Sequence, residues 1–387
     1  MSATWGDWVV ATTQAIHDAG RWRSVRPFDA TGPAGTTDDG TPMVSFASND
    51  YLGLTDHPAT KAAALAAVER WGTGSGASRL IVGSRPIHHD LEEALAAWRG
   101  TEAALLFPTG FAANLGTLAA LADRDVAVVS DERNHASIID GCRLAAQRGA
   151  TLAVARHADL DHVAELVAAA RREGRRPVVV TDSVFSMDGD EAPLADLVAV
   201  CAAGGAALVL DEAHAVLGPD VPPSAAAALA GAGGLLVRVA TLSKALGSLG
   251  GFVAADRAVV DLLVNRARPF IFTTAPTPAD AAAGLAAVEV VRGAEGDALR
   301  ARLRAHVERL APGHPSPILP VVVGGEAEAL AAAAALAERG LLVPAIRPPT
   351  VAPGTCRLRV ALSAAHTDDQ LDALAGALDD LGLAVTR

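Results

Sequence analysis

The sequence predicts an α/β chain: a large domain built on a mostly parallel, seven-stranded sheet, followed by a smaller α+β domain. Three observations predict it. Short apolar runs alternate with Ala/Leu-rich amphipathic segments, polar residues gather where the runs end, and the rhythm changes after about residue 280. Such alternation calls for crossover helices that cover both faces of a parallel sheet, so its strands read as continuous apolar runs.

Taken in order, the strands are expected at Ala104–Pro108, Val126–Ser130, Thr151–Ala155, Pro177–Asp182, Ala207–Asp211, Val237–Thr241 and Gly251–Ala254. Ligands of open α/β sheets lie beyond the carboxyl ends of the strands, so Asp182, Ser183, Asp211 and Thr241 to Lys244 should converge on one cleft. After the change of rhythm come a long Ala-rich helix, a strand at Ile318–Val323, a helix over Glu326–Arg339 stopped by Gly340, and a strand at Arg357–Ala361. Thr367-Asp368-Asp369-Gln370 is a capping-box pattern and opens a last helix. At the other end, residues 1–48 read as helical and then irregular, with Gly32, Pro33, Gly35 and Gly40 in a loop. The expected division is therefore 1–48, 49–283 and 284–387.

With 387 residues, 51% of them hydrophobic, the chain can bury a large core. A formal charge of −12 gives no footprint for nucleic acid or an anionic membrane, so an anionic substrate must be met by a local arginine cluster. Cys142, Cys201 and Cys356 are few, odd in number and far apart, which indicates neither a disulfide framework nor zinc and suits a reducing cytoplasm. No export signal or membrane span is expected, since the N-terminus lacks a basic flank followed by an apolar core. No metal site is expected either, because the adjacent His88 and His89 do not face one point. Gly72-Thr73-Gly74-Ser75-Gly76 is glycine-rich, but it follows a helical segment and lacks the G-x-G-x-x-G spacing of a dinucleotide module.

Lysine is nearly absent. Lys61 and Lys244 stand alone in a chain that otherwise uses arginine, and Lys244 lies in Thr241-Leu242-Ser243-Lys244, straight after a buried run. An ε-amine can deprotonate and form an imine, whereas a guanidinium can do neither near neutral pH. Asp211-Glu212-Ala213-His214 follows another apolar run. By themselves Asp211 could equally cap the next turn and His214 be a satisfied core histidine. With Lys244 nearby they supply what pyridoxal phosphate needs: an imine-forming amine, an acid for the pyridine nitrogen and a donor to the 3′-oxygen. The cofactor's phosphate needs amides at a helix start with hydroxyls beside them. Thr109-Gly110-Phe111-Ala112-Ala113-Asn114 offers that, with Ser186 and Thr241 after other strands, and His135 could stack on the ring.

These residues lie within longer matches, and from Ser45 to about Leu381 the chain resembles the α-oxoamine synthases, pyridoxal-phosphate enzymes that join an amino acid to an acyl thioester. The resemblance runs through Ser48-Asn49-Asp50-Tyr51-Leu52-Gly53-Leu54, Gly74–Arg79, Thr109–Asn114, Asn134–Ile139, Val184–Asp190, Asp211–His214 and Thr241–Lys244. It implies a fold-type I transferase. Ile346–Val351 with Gly354–Arg359 most resembles the branch that condenses L-alanine with a pimeloyl thioester in biotin biosynthesis; the alternative is a sister activity such as glycine C-acetyltransferase.

Roles follow from the resemblance for matching positions. Lys244 would bond the cofactor, Asp211 pair with its ring nitrogen, His214 reach the 3′-oxygen and His135 stack on the ring, while Gly110, Phe111, Ser186 and Thr241 hold it. Arg359 would clamp the amino-acid carboxylate, Arg347 and Thr350 would lie near the acyl substrate, and Asn49 would close the site. Thr273 and Thr274 would be phosphate contacts lent by a second subunit, making a homodimer with shared sites. Arg23 is the substrate-binding arginine chosen near the N-terminus, with Arg21 and Arg26 as competitors. The resemblance implies an acyl donor that is a coenzyme A or acyl-carrier-protein thioester. Two positions depart from the pattern: the short Ala215-Val216-Leu217-Gly218 after His214, and Phe272 where several relatives carry tyrosine.

Overall fold

The computed structural model describes residues 4–386. Its centre is a seven-stranded sheet whose strands we number in chain order: β1 Ala103–Phe107, β2 Val126–Asp131, β3 Thr151–Ala155, β4 Arg176–Asp182, β5 Ala207–Asp211, β6 Leu235–Thr241 and β7 Gly251–Ala255. The spatial order is β1-β7-β6-β5-β4-β2-β3. β7 runs antiparallel to both neighbours, and every other pairing is parallel.

Continuous apolar runs form these strands because alternate residues are buried on opposite faces. Val178 and Val180 join one core cluster and Val179 another; Val209 points one way, Leu208 and Leu210 the other. Only β3, at the edge, leaves Leu152 and Val154 exposed.

The parallel strands bring their carboxyl ends to one rim, where Asp182 of β4 is in register with Asp211 of β5, and Asp211 with Val239 of β6. Helices begin on this rim. Thr109 caps the helix Gly110–Leu121 by accepting from the Ala112 amide, and His135 caps Ala136–Gln147 by accepting from Ser137.

Beyond β7 the helix Pro278–Arg292 leads, through a break at Gly293, into Ala294–Leu310. A three-stranded antiparallel sheet follows, with Cys356–Ala361 between Ile318–Gly324 and Ala345–Ile346. The expected capping box closes at Thr367 and Gln370. One large core cluster joins residues of both sheets, among them Leu106, Phe252, Ile318 and Leu358.

The N-terminal stretch differs from the expected loop. After the helix Trp5–Asp18, strands Phe28–Ala30, Ala34–Thr37 and Pro42–Ser45 form an antiparallel sheet, to which Leu341–Leu342 adds in parallel. Gly35 is required in it, since a Cβ there would meet the Asp29 carbonyl oxygen at 2.5 Å. Gly72–Gly76 packs differently from a nucleotide loop: it follows the helix Pro58–Trp71, and the Ser75 hydroxyl donates to the Pro276 carbonyl at 2.6 Å. His88 is buried against the same carbonyl, whereas His89 pairs with Glu93 at the surface. No described helix is long and apolar enough to cross a membrane.

Candidate active site

Lys244 follows β6 by three residues, and its Nζ lies 2.7 Å from Nε2 of His214, which follows β5 by the same interval. On its other side, Nδ1 of His214 is 2.6 Å from the Tyr51 hydroxyl. That hydroxyl lies 3.0 Å from Oδ1 of Asn49, which also accepts from Arg359 Nη2 at 3.0 Å. Arg359 Nε donates to the Ser186 carbonyl at 2.5 Å. A run of hydrogen bonds therefore connects amine to guanidinium through buried His214 and Tyr51 and half-buried Asn49.

A second run fixes Asp211. Asn114 Nδ2 donates to Asp211 Oδ2 at 2.6 Å and to the Ser137 hydroxyl at 2.9 Å, and the Ala213 amide donates to Oδ1 at 2.9 Å. Since Asn114 can only donate through Nδ2, the Ser137 hydroxyl gives its hydrogen to His135 Nδ1, 2.7 Å away. His135 is thus held with its proton on Nε2, and its backbone amide donates to Asp182 Oδ2 at 2.7 Å.

Burial dominates the electrostatics. It draws Lys244 down to about 8, with Arg359 adding to the effect and Asp211 and Asp182 opposing it. Burial, then the charges of Lys244, Arg359 and His135, drive His214 well below the usual histidine range. Burial also lowers His135, against the attraction of Asp211. It raises Asp182 well above the carboxylate range, helped by the charge on Asp211, and pushes Tyr51 up to about 12. The result is an amine that loses its proton about two and a half pH units below an ordinary lysine, beside imidazoles biased to the neutral form.

Of the residues singled out from sequence, Lys244, His214, Asp211, His135, Asn49 and Arg359 converge. Gly110 and Thr241 stand side by side: a Cβ at 110 would lie 3.2 Å from that of Thr241, whose hydroxyl donates to the Gly250 carbonyl. Phe111 is an edge-on neighbour of His135 at 6.4 Å. Ser186 contributes its carbonyl. Thr273 and Thr274 make no hydrogen bond to the cluster among the described residues; Thr274 is exposed, and Ala275 after it is tied to the Ala77 carbonyl. Arg347 is turned to the Gly20 carbonyl at 2.9 Å, Thr350 is exposed, and Arg23 is exposed while Arg21 pairs with Glu326. The short segment after His214 is held by Arg304, which donates to the Leu217 carbonyl, and Phe272 is exposed beneath the Arg268 guanidinium.

Sequence reasoning assigned no role to Tyr51, Asn114 or Ser137. Two signals were available: Tyr51 is the chain's one tyrosine, and Asn114 is a polar residue in an otherwise apolar helix start.

The donor set suits pyridoxal phosphate. An amine of lowered basicity faces an imidazole, a carboxylate is fixed by amides, and the helix that starts at Gly110 has Thr241 beside its N-terminus, a helix start next to a hydroxyl as a phosphate needs.

Comparison with known proteins agrees. A family profile described as aminotransferase class I and II matches residues 41–378. The 8-amino-7-oxononanoate synthase of Anaeromyxobacter dehalogenans (strain 2CP-1) is 51% identical, the match covering 97% of this chain and 96% of that one. The enzyme of that name from Methylobacterium sp. (strain 4-46) is 47% identical over the same shares. Among solved structures, serine palmitoyltransferase from S. paucimobilis, with a bound PLP–myriocin aldimine, superposes with a TM-score of 0.86 at 29% identity, covering 97% of each chain.

Proposed function

We propose that this chain, which belongs to the aminotransferase class I and II family, condenses L-alanine with a pimeloyl thioester, releasing 8-amino-7-oxononanoate, CO₂ and the free thiol carrier in biotin biosynthesis, with pyridoxal phosphate as cofactor. The observation that carries the reading is the convergence of Lys244, His214, Asp211, His135 and Arg359 on one rim of the sheet, where His214, Asp211 and Arg359 are buried. The choice of alanine and pimeloyl rests on relatives about half identical along nearly the whole chain.

Bound pyridoxal phosphate supplies an electron sink for the charge left when a bond to the amino acid's α-carbon breaks. The chain's residues do the remainder. Lys244, at about 8, offers an unprotonated amine far below the ordinary lysine range, to tether the cofactor and to take the α-proton. Asp211, held by Asn114 and Ala213, would pair with the cofactor's ring nitrogen and keep it protonated; His214 would donate to its 3′-oxygen and His135 would stack on its ring. Gly110, Phe111, Ser186 and Thr241 secure the cofactor. Arg359 grips the alanine carboxylate in a charge-assisted pair worth about 1.5–3 kcal/mol, Asn49 closes the site, Arg347 and Thr350 lie near the acyl substrate, and Arg23 binds substrate. Burial of Asp211, His214 and Arg359 keeps water away from the reacting end of the site.

The protein acts as a homodimer, with Thr273 and Thr274 lent to the second copy's site. Leu80, Ile81, Val82 and Phe272 are all exposed, an apolar surface that a second copy covers. The free, buried cysteines suit a reducing cytoplasm. Mixing Lys244→Ala chains with Thr273→Ala/Thr274→Ala chains should restore activity in hybrid dimers; verified hybrids that stay inactive count against shared sites.

The deciding assay gives the purified protein alanine with pimeloyl-coenzyme A or pimeloyl-carrier protein, glycine with acetyl-coenzyme A, and serine with palmitoyl-coenzyme A. Alanine with a pimeloyl thioester should give the highest turnover, and borohydride should fix the cofactor's mass on Lys244. Faster turnover of either other pair overturns the substrate assignment.

A further inference from the structure

Tyr51 belongs to none of the roles above, yet its hydroxyl touches both ends of the site. It is 2.6 Å from His214 Nδ1, 3.0 Å from Asn49 Oδ1 and 3.5 Å from Arg359 Nη2. The phenol is fully buried, so one hydrogen must serve two acceptor positions in a place water does not reach. Two arrangements satisfy every atom. With Lys244 neutral, His214 donates from Nε2 to the amine and Tyr51 donates to Nδ1. With Lys244 protonated, the ammonium donates to Nε2, His214 donates from Nδ1 to the phenol oxygen, and Tyr51 donates to Asn49 Oδ1. Arg359 can only donate and keeps its bond to Asn49 in both.

We propose that Tyr51 relays the protonation of Lys244 to the carboxylate-binding end of the site, the chain Lys244–His214–Tyr51–Asn49 reversing its hydrogen-bond polarity when the lysine gains or loses a proton. The protons balance. The Nε2 hydrogen passes to Lys244, the phenol hydrogen passes to Nδ1, and one incoming proton restores the hydroxyl on its Asn49 side. In the charged state three acceptors in series stabilise the ammonium, which the Asp211 carboxylate also favours and Arg359 opposes; Asp182, which keeps its proton, and His135 and His214, both held neutral, complete the groups facing it. Tyr51 is a positioning residue and acts only through its neighbours. The relay rests on Lys244 as the site's amine and is tested without cofactor, so a failed alanine assay leaves it standing, and its own failure leaves the proposed reaction standing.

The composition makes the test specific. With one tyrosine, 3-fluorotyrosine incorporated throughout reports on Tyr51 alone, and with two lysines, exposed Lys61 is an internal reference for labelling of Lys244. In the full chain prepared without pyridoxal phosphate, the ¹⁹F shift should titrate at the same midpoint as competitive acetylation of Lys244, and the step should vanish in Lys244→Met. A flat shift through that range, or an unchanged step in Lys244→Met, overturns the relay. Tyr51→Phe should lower the Lys244 midpoint by about half a pH unit or more, roughly a threefold change in the equilibrium, with Lys61 unmoved. If Tyr51→Phe does not fold, Asn49→Leu carries the same expectation. An unmoved Lys244 midpoint in the folded variant refutes the proposal.

Discussion

Asp182 and Asp211 lie opposite one another at the carboxyl ends of adjacent parallel strands, both buried. Two carboxylates so placed cannot both ionise cheaply. Among the described residues the Asp182 side chain accepts only from the His135 amide, whereas Asp211 accepts from Asn114 and Ala213; burial, helped by the charge on Asp211, raises Asp182 well above the carboxylate range, so Asp182 keeps its proton. Asparagine should therefore be tolerated at one position and not the other. Asp182→Asn should keep kcat within about fivefold of the parent, the effect of one ordinary hydrogen bond, while Asp211→Asn should lose about a hundredfold or more and still bind cofactor. Equal losses in the two variants would show that Asp182 carries charge.

Lys244 should take up cofactor with a pH dependence of its own. The imine-forming species is the neutral amine, so uptake should rise with pH through about 8 rather than near 10.5. Stopped-flow absorbance after mixing cofactor-free chain with pyridoxal phosphate measures it. Arg359 lowers the value through its charge, so Arg359→Leu should move the midpoint upward. A parent midpoint near that of an ordinary lysine would mean that the amine is solvated.

How far the sequence discloses all this depends on the range of each contact. The seven strands were legible because Val178, Val179 and Val180 are buried on alternating faces, leaving a run without polar interruption. Lys244 and Asp211 were legible because each follows such a run. The hairpin over Phe28–Ser45 was not, since strands of three or four residues are too short to display a period. Tyr51 meets His214 across 163 residues, and nothing local to either residue encodes the meeting. Asn114 could have been suspected: a carboxamide in a helix of Ala, Leu and Gly must find a buried partner, and that partner is Asp211. Arg23 and Arg347 show the converse limit. Their type suits an anionic substrate, but in the single chain Arg23 faces outward and Arg347 turns to Gly20.

His157 gives a stability prediction with a definite sign. Its Nδ1 lies 3.1 Å from Asp131 and its Nε2 2.7 Å from Asp190, with the ring edge-on to Phe185 at 4.4 Å. Burial disfavours the charge, but the two carboxylates outweigh it and hold the imidazolium up to about 9, against an ordinary value of 6.5. A raised folded-state value means that the extra stability is fully present below 6.5 and is lost as pH climbs through about 9. His157→Gln can form neither ion pair, so it should be less stable than the parent by about 1–2 kcal/mol at pH 6, the usual worth of a charged hydrogen bond after solvent screening. In melting scans the two curves should differ by about 2–4 °C at pH 6 and draw together by pH 9.5. A gap that stays constant across that interval would mean that His157 is neutral throughout and that Asp131 and Asp190 are held together by something other than its charge.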